Sequence, residues 1–337
     1  MDIDKDKIEQ LFEILHNSKN ILIPIASPDG DSVGCSLALK LILEKMGKEV
    51  KIISSFSIPR NLLNLPGSKN INYEDLYSTK LIEWLDLVIM PDTASIDQLI
   101  DLKVHSGKEF KFPIDKKVVN IDHHRSNDNF ATLTILDPEA PSAGEIIYKI
   151  FLNKIEYDTD IALCLFTAIS TDTGHFRYTC KPETLMIAGE LLKFNINIHD
   201  LIINNYYTKS LSAMKLVAIA LERMIIDKKN KYCLTFLKQE DLKISEANNE
   251  DLQEAEDELN DNLIQSVMET DFGVRLTEEK NNYVSGSLRG RTDLIDLNQI
   301  AKKLDGGGHH DAAGFHLRCS LESALIRVKE TINNILQ

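Results

Sequence analysis

The chain has 337 residues, enough for two domains of ordinary size, and its 43% hydrophobic and 27% charged residues are typical of globular proteins. Its formal net charge of −14 disfavours broad, sequence-independent binding to long nucleic acid, which needs a basic surface. The charge still permits a small phosphorylated ligand that is held by divalent cations and a few basic side chains.

Two features of the sequence bear on the cellular compartment. The five cysteines are scattered and include no Cys-x-x-Cys pair, a pattern typical of reduced, structural cysteines in a cytosolic protein. The charged first residues lack the apolar core of a signal peptide, and no apolar run has the length that a membrane span requires. We therefore expect a cytoplasmic protein with no membrane partner.

Apolar spacing in the first half predicts helices and strands in alternation. Helical spacing covers Ile8–His16, and a polar turn at Ser27–Gly34 leads into a second helix from about Cys35 to Met46. Short apolar runs predict four buried strands, at Ile21–Ile25, Val50–Ser54, Leu87–Met90 and Val118–Ile121. Such alternation predicts βαβ units and a mainly parallel sheet.

The second half changes from helical spacing to strand patterns. Helices are predicted at Ala143–Leu152, Asp160–Ser170, Thr184–Lys193 and, after a connecting segment at Asn195–Thr208, at Leu211–Ile226. Strand patterns follow at Tyr232–Leu237, Val274–Leu276 and Tyr283–Arg289. We place a first α/β domain in residues 1–190, a helical linker in residues 191–213 and a smaller α/β domain in residues 214–337.

Two aspartates lie in the turn after the first predicted strand. Asp29 and Asp31 flank Gly30, whose missing side chain suits a tight bend. Two carboxylates this close repel each other unless a cation neutralises them, which favours a divalent metal. The same residues also fit the N-terminus of the next helix, where Asp and Ser cap free N–H groups. Both interpretations are open for this turn taken alone.

Further acids and two histidines follow other apolar segments. Asp92 comes after the third strand, Asp122-His123-His124 after the fourth, and Asp172 after a helix. Ligands of open α/β sheets gather at the carboxyl ends of the strands, so we expect these side chains to converge there. Carboxylates and imidazoles suit Mn²⁺ or Mg²⁺, and the absence of cysteine from these motifs disfavours structural zinc.

A glycine run marks the second predicted domain. Gly306-Gly307-Gly308-His309 on its own is typical of a flexible loop. Three glycines also let backbone N–H groups approach an anion closely. Arg289 and Arg291 supply cations in the same domain, which favours phosphate or nucleotide binding.

These motifs, in this order, resemble the DHH phosphoesterase superfamily with a C-terminal DHHA1 domain, over almost the whole chain. They are Pro28-Asp29-Gly30-Asp31, Asp92-Thr93-Ala94-Ser95, Asp122-His123-His124, Thr171-Asp172-Thr173-Gly174 and Gly306–Gly314. Three more segments resemble its compact nano-RNase (oligoribonuclease) and pAp-phosphatase proteins: Ser126–Phe130, Gly144–Tyr148 and Phe176–Tyr178. The resemblance implies a mainly parallel DHH domain, a helical linker and a smaller α/β DHHA1 domain.

The resemblance also implies roles for individual residues in a two-metal site. One Mn²⁺ would be held by Asp31, Asp92, His123 and Asp172. The other would be held in part by Asp29, with Asp92 bridging the two, and Mg²⁺ is the alternative ion. Asp122 would orient the cluster from behind the ligands, and His124 would face the scissile phosphate. The nucleotide would be bound in the DHHA1 domain by Arg289, Gly306, Gly307, Gly308 and His309.

One position departs from this pattern. Relatives of this type carry a metal-binding His four positions before the first Asp of the turn, where this chain has Ile25. Isoleucine cannot ligate a metal, so we expect the site that includes Asp29 to be weakened.

Two functional hypotheses follow. The first is a metal-dependent phosphoesterase that hydrolyses very short oligonucleotides to mononucleotides, with the 3′,5′-bisphosphorylated nucleotide pAp as a further candidate substrate and no long duplex partner. The second is a degenerate nucleotide-binding DHH protein that is weakly active or inactive because of Ile25. Either hypothesis is compatible with a homodimer, and the sequence leaves the oligomeric state open.

Overall fold

A computed structural model describes residues 4–54, 56–72, 79–99, 116–177, 180–203, 207–292 and 294–336. The chain divides into two compact units, Met1–Tyr207 and Thr208–Gln337. The point of division lies within the predicted linker of residues 191–213. The predicted architecture, a parallel α/β domain followed by a second α/β domain, is confirmed.

The first unit is built on a five-stranded parallel sheet in the order β2-β1-β3-β4-β5. Its strands are β1 Asn20–Ile25, β2 Glu49–Ser54, β3 Leu87–Pro91, β4 Lys117–Asp122 and β5 Leu133–Leu136. Its helices are α1 Lys5–His16, α2 Gly30–Lys45, α3 Thr79–Trp84, α4 Ala143–Phe151, α5 Thr159–Asp172, α6 Pro182–Leu192 and α7 Ile198–Ile202. Most residues of these strands are buried. Their sequences are continuous apolar runs, as is typical of strands covered on both faces.

The sheet register brings the ends of β3 and β4 to the same edge. Pro91, the last residue of β3, pairs with Ile121 in β4, so Asp92 and Asp122 follow at the same level. Four of the five strands were predicted. The fifth, β5, is only four residues long, too short for its apolar run to stand out from a loop.

Helix α2 begins five residues earlier than predicted. The sequence placed its start near Cys35, but the helix begins at Gly30. The reason is local: the Asp29 side chain accepts a hydrogen bond from the Ser32 N–H at 2.9 Å, and the Ser32 hydroxyl accepts one from the Asp29 N–H at 3.0 Å. This reciprocal capping box starts the helix and places Asp31 in its first turn.

The second unit contains a mixed six-stranded sheet in the order β10-β11-β9-β8-β7-β6, in which only the β7–β8 pair is parallel. Its strands are β6 Ile225–Asp227, β7 Tyr232–Leu237, β8 Phe272–Glu279, β9 Tyr283–Gly290, β10 Gly307–Gly308 and β11 Ala312–Leu317. Its helices are α8 Leu211–Glu222, α9 Gln239–Ile244, α10 Asn249–Glu258, α11 Leu297–Lys303 and α12 Leu321–Leu336.

The end of α8 was also predicted incorrectly. The helix ends at Glu222 rather than Ile226, and Ile225–Asp227 form β6, which pairs antiparallel with β7. The apolar character of Ile225 and Ile226 is typical of a continuing helix, but in the structure both residues are exposed on this edge strand.

Two further features concern the whole chain. All five cysteines are free thiols, and Cys35, Cys164 and Cys233 are buried. Among the residues that the structure describes, no helix combines the length and apolar character needed to cross a membrane.

Candidate metal centre

Asp92 occupies the centre of the carboxylate cluster in a left-handed backbone conformation. Its φ of 50° is uncommon for a residue other than glycine, and its N–H donates to the Ile121 carbonyl at 2.9 Å. Its side chain is buried, and the Oδ1 atom has no hydrogen-bond partner. A buried carboxylate oxygen without a donor is unfavourable unless something else binds it.

His123 directs one ring nitrogen toward three carboxylates. Its Nδ1 donates to the Ala140 carbonyl at 3.3 Å, which orients the ring. Its Nε2 then lies 3.2 Å from Asp172 Oδ2, 3.4 Å from Asp92 Oδ1 and 3.9 Å from Asp31 Oδ2. An imidazole held through one nitrogen in this way, with the other facing carboxylates, is the usual arrangement of a metal-binding histidine.

Asp31 is held at the N-terminus of α4. Its Oδ2 accepts from the Ala143 N–H at 2.7 Å, and its Oδ1 accepts from the Gly144 N–H at 3.0 Å. These are the first two residues of α4, where free N–H groups and the helix dipole favour an anion. The carboxylate is only 1% exposed, so α4 fixes the position of a buried charge.

Gly30 permits the close contact between α2 and α5 that brings Asp31 and Asp172 together. A Cβ atom at Gly30 would lie 2.2 Å from Thr171 Oγ1, the residue before Asp172 on α5. The bend that the sequence predicts at this glycine is not the reason for it. Its φ is not in the left-handed region, and the structure shows that space against α5 is what requires glycine here.

Asp122 and His124 form a second hydrogen-bonded pair beside the cluster. His124 Nδ1 donates to Asp122 Oδ1 at 2.7 Å, and Asn127 Nδ2 donates to Asp122 Oδ2 at 2.6 Å. Burial alone would raise the pKa of Asp122, but these two hydrogen bonds outweigh it and lower the pKa below its ordinary value. The bond to Asp122 in turn raises the pKa of His124. Asp122 is therefore an ionised, fully buried support for the His124 ring.

The crowded carboxylates change one another's protonation. Burial, together with the charges of Asp92 and Asp172, raises the pKa of Asp31 well above its ordinary value. Although the Asp172 side chain is 32% exposed, partial burial is the main cause that raises the pKa of its carboxyl to about 6. Burial opposes protonation of His123, but the facing carboxylates outweigh it and raise its pKa to about 10. When no cation is bound, these raised pKa values favour protonation, which neutralises part of the negative charge of the cluster.

Asp29 and Ile25 differ from the other predicted positions. Asp29 caps α2, as the second interpretation of the turn predicted, and it also interacts electrostatically with Asp92 and Asp172. It belongs to neither group of ligand atoms described below. Ile25, at the end of β1, is 2% exposed and packs in the apolar core of the first unit.

The residues fit a divalent metal ion. Two trios place one potential ligand atom each within 4.8 Å of one another: Asp92, His123 and His124, and Asp31, His123 and Asp172. The unpartnered Asp92 Oδ1 belongs to the first trio and faces the His123 ring nitrogen. Carboxylates with imidazole suit Mn²⁺, so the donor chemistry and the unsatisfied oxygen agree.

The remaining predicted binding residues lie in the second unit. Arg289 is on β9, where it donates to the Ser287 hydroxyl at 2.8 Å. The Gly306 N–H donates to Ala301 at the end of α11, and the His309 N–H donates to Ala312, so neither backbone donor is directed at a ligand. The role of this loop in binding stays a prediction.

The three glycines of the loop differ in their surroundings. A Cβ would lie 2.1 Å from a carbonyl oxygen at Gly306 and 2.6 Å from one at Gly308, so packing requires both glycines. At Gly307 the nearest atom would be Asn298 Oδ1 at 3.9 Å, and that buried oxygen has no hydrogen-bond partner. Gly307 is the glycine that packing within the described residues does not explain.

Two supporting residues were not assigned a role from the sequence. Asn127 supports Asp122, and its place in the polar loop after β4 was the available signal. Cys35 donates from Sγ to Asp31 Oδ1 at 3.1 Å, one helical turn after Asp31. Burial, and then the charge of Asp31, raises the pKa of this thiol well above its ordinary value, so it remains a donor.

Comparison with known proteins gives two family models and several relatives that match the chain. A model of the DHH family N-terminal domain matches residues 20–169, and a model of the DHHA1 domain matches residues 229–337. The bifunctional oligoribonuclease and PAP phosphatase NrnA of Thermus thermophilus is 30% identical over 314 residues, which is 92% of this chain and 87% of the relative.

Two solved structures are similar to the chain. An exopolyphosphatase-related protein from Bacteroides fragilis superimposes with a TM-score of 0.87 at 26% identity, covering 99% of this chain and 97% of its own. The exonuclease RecJ bound to manganese has a TM-score of 0.51 at 13% identity, covering 100% and 95%, which shows a shared fold.

Proposed function

The chain belongs to the DHH family of phosphoesterases with a DHHA1 domain, and from that premise we propose that it is a Mn²⁺-dependent hydrolase of very short oligonucleotides that also accepts pAp. The observation that carries the proposal is the buried, unpartnered Asp92 Oδ1 facing His123 Nε2 at 3.4 Å. A buried carboxylate oxygen without a close hydrogen-bond donor is unfavourable unless a cation binds it, so its position beside His123 supports a metal ion here.

The cation would be held by Asp31, Asp92, His123 and Asp172. Such an ion supplies Lewis-acid stabilisation of charge on a phosphoryl group and lowers the pKa of bound water. The protein's own contribution is to orient the ligands: α4 holds Asp31 through two N–H groups, and the Ala140 carbonyl orients the ring of His123.

His124 and Asp122 would act on the substrate side of the cluster. Asp122 accepts a hydrogen bond from His124 Nδ1, which fixes the ring and leaves Nε2 as the atom that would contact the scissile phosphate. Asn127 keeps Asp122 ionised by donating to its second oxygen. The ionised Asp122 carboxylate would stabilise a protonated His124 through this hydrogen bond.

The proposed substrate class rests on relatives and on charge. The relative that is 30% identical is described as an oligoribonuclease and PAP phosphatase, and both substrates are short and phosphorylated. A net charge of −14 disfavours long nucleic acid but does not prevent local basic residues from binding a short one. Arg289, Gly306–Gly308 and His309 are the proposed binding residues in the second unit.

A binding protein that has lost catalysis is the second candidate, and Ile25 favours it. The residue is buried among apolar side chains at the end of β1, so the position that bears a histidine in relatives supplies no ligand here. Asp29, the other residue assigned to that ion, is engaged as the cap of α2. A second ion would then have to rely on Asp92, water and substrate phosphate.

The decisive experiment measures hydrolysis of a diribonucleotide, pAp, cyclic di-AMP and a long single strand, with Mn²⁺, with Mg²⁺ and with EDTA. We expect Mn²⁺-dependent release of mononucleotides from the diribonucleotide and of AMP from pAp. We expect slow cleavage of the long strand with either metal ion and no cleavage with EDTA. Activity that survives EDTA would contradict the metal dependence.

Matched variants separate the two candidates. Asp172→Asn removes a proposed ligand at the end of α5, and Asp160→Asn removes an exposed carboxylate in the first turn of the same helix. We expect loss of activity of at least about 100-fold in the first and little change in the second, because removing a side chain that binds the metal costs more than the roughly 10–100-fold lost when a residue supporting a ligand is replaced. Turnover only in Ile25→His, with tight nucleotide binding by the wild type, would establish the binding protein instead.

A further inference from the structure

The thiol of Cys35 contacts the cluster from inside the apolar core. Cys35 lies on α2 four residues after Asp31, and it is fully buried. Its Sγ is 3.1 Å from Asp31 Oδ1. An ionised carboxylate, the form that binds a cation, offers only lone pairs, so the thiol is the donor to that form.

This hydrogen bond completes a set of three around Asp31. Oδ1 accepts from the Gly144 N–H and from Cys35, and Oδ2 accepts from the Ala143 N–H. Oδ2 is also the atom on the side of His123, at 3.9 Å from Nε2. The donors on Oδ1 therefore turn the carboxylate so that Oδ2 is the oxygen presented to the cluster.

We propose that Cys35 is a positioning residue for the metal centre, which holds Asp31 so that Oδ2 is presented to the cation. The inference rests on the proposed function in so far as Asp31 is a ligand of a metal ion. Without the thiol, Oδ1 keeps the Gly144 N–H and Oδ2 keeps the Ala143 N–H, so the carboxylate is held by two donors in place of three.

The chain offers a matched control. Cys164 is equally buried, on α5, and within the described residues it makes no hydrogen bond to a carboxylate. Replacing either cysteine with alanine removes one buried sulfur from the same core. Only Cys35→Ala also removes a donor from Asp31, and Cys35→Ser restores a donor at that position.

The experiment measures the Mn²⁺ dissociation constant of the full chain by competition with a fluorescent chelator, alongside the melting temperature with and without Mn²⁺. For Cys35→Ala we expect the dissociation constant to rise about tenfold, as it does when a residue that hydrogen-bonds to a metal ligand is replaced, with a smaller rise in Tm on adding the metal. For Cys35→Ser and Cys164→Ala we expect values within about twofold of the wild type.

Three results would overturn the inference: wild-type affinity in Cys35→Ala, a loss in Cys35→Ser equal to that in Cys35→Ala, or an equal loss in Cys164→Ala. An equal loss in Cys35→Ser would mean that the affinity depends on the volume of the sulfur and not on its hydrogen bond. An equal loss in Cys164→Ala would mean that any loosening of the core lowers the affinity. Failure of the proposed function has a different signature, since the wild type would then bind Mn²⁺ but hydrolyse none of the substrates. A wild type that binds no Mn²⁺ would overturn both.

Discussion

A methyl group at Gly30 should disrupt the metal centre, although the residue bears no ligand. In Gly30→Ala the new Cβ would lie 2.2 Å from Thr171 Oγ1, 2.4 Å from its Cγ2 and 2.5 Å from its Cβ. All three atoms belong to one side chain on α5, whose next residue is Asp172. The substitution therefore acts on the distance between α2 and α5.

The expected size follows from these contacts. Carbon atoms pack at about 3.5–4.0 Å, so relieving the overlap requires α2 and α5 to separate locally by about 1 Å. Overpacking of this kind costs about 1–3 kcal/mol in the free energy of unfolding. Asp31 and Asp172 would move apart with their helices, and we expect the Mn²⁺ dissociation constant to rise by at least about tenfold.

The assay combines urea unfolding of the metal-free protein with a Mn²⁺ titration. Gly189→Ala is the control, because within the described residues no atom beyond the backbone of α6 itself lies within 4 Å of the added Cβ, and it should stabilise the protein by about 0.5–1 kcal/mol. Gly30→Ala combined with Thr171→Gly should recover most of the Mn²⁺ affinity. Wild-type affinity in Gly30→Ala would refute the claim that helix spacing sets the ligand positions.

Three further predictions concern charge, the glycine loop and the missing ligand. Because the pKa values of Asp172 and His123 are raised to about 6 and about 10, the metal-free folded protein binds more protons than the unfolded chain, and its free energy of unfolding should fall as the pH rises from about 5 to about 9. Urea unfolding at several pH values measures this dependence, and saturating Mn²⁺ should make the free energy of unfolding less dependent on pH. A free energy of unfolding that rises with pH would contradict the prediction, because the unfolded chain would then bind more protons than the folded protein. Gly306→Ala should lower the free energy of unfolding by about 1–3 kcal/mol, because its Cβ would lie 2.1 Å from a carbonyl oxygen. Gly307→Ala should leave stability nearly unchanged but weaken nucleotide binding in calorimetry, and unchanged binding would remove the loop from the substrate site. Ile25→His should add a second tightly bound Mn²⁺ per chain by elemental analysis, and an unchanged metal content would show that this position does not reach the cation.

The parallel sheet and the meeting of Asp92, Asp122 and His123 could be predicted from the sequence. Each buried strand is one apolar run, and residues that follow parallel strands must lie at the same edge. The role of Gly30 could not be predicted, since Thr171 is distant in the chain and only the packed structure brings the two together. A bend and a close contact both require glycine, and sequence alone does not distinguish them.

The error in the predicted start of α2 concealed the relation between Cys35 and Asp31. With α2 predicted to begin near Cys35, Asp31 preceded the helix and had no defined relation to that cysteine. Once the capping box starts the helix at Gly30, Asp31 and Cys35 lie one turn apart on the same face. The cap could have been recognised from Asp29 and Ser32, but the same aspartate also fitted a metal site.

The left-handed backbone at Asp92 has an evolutionary consequence. Asparagine and glycine adopt that conformation with the least strain, and each is reached from aspartate by changing a single base of its codon. One mutation can therefore remove the central carboxylate while the strand, the loop and the neighbouring histidines keep their places. When selection on activity relaxes, the first descendants of this protein should be folded proteins without catalytic activity that carry Asn or Gly at position 92.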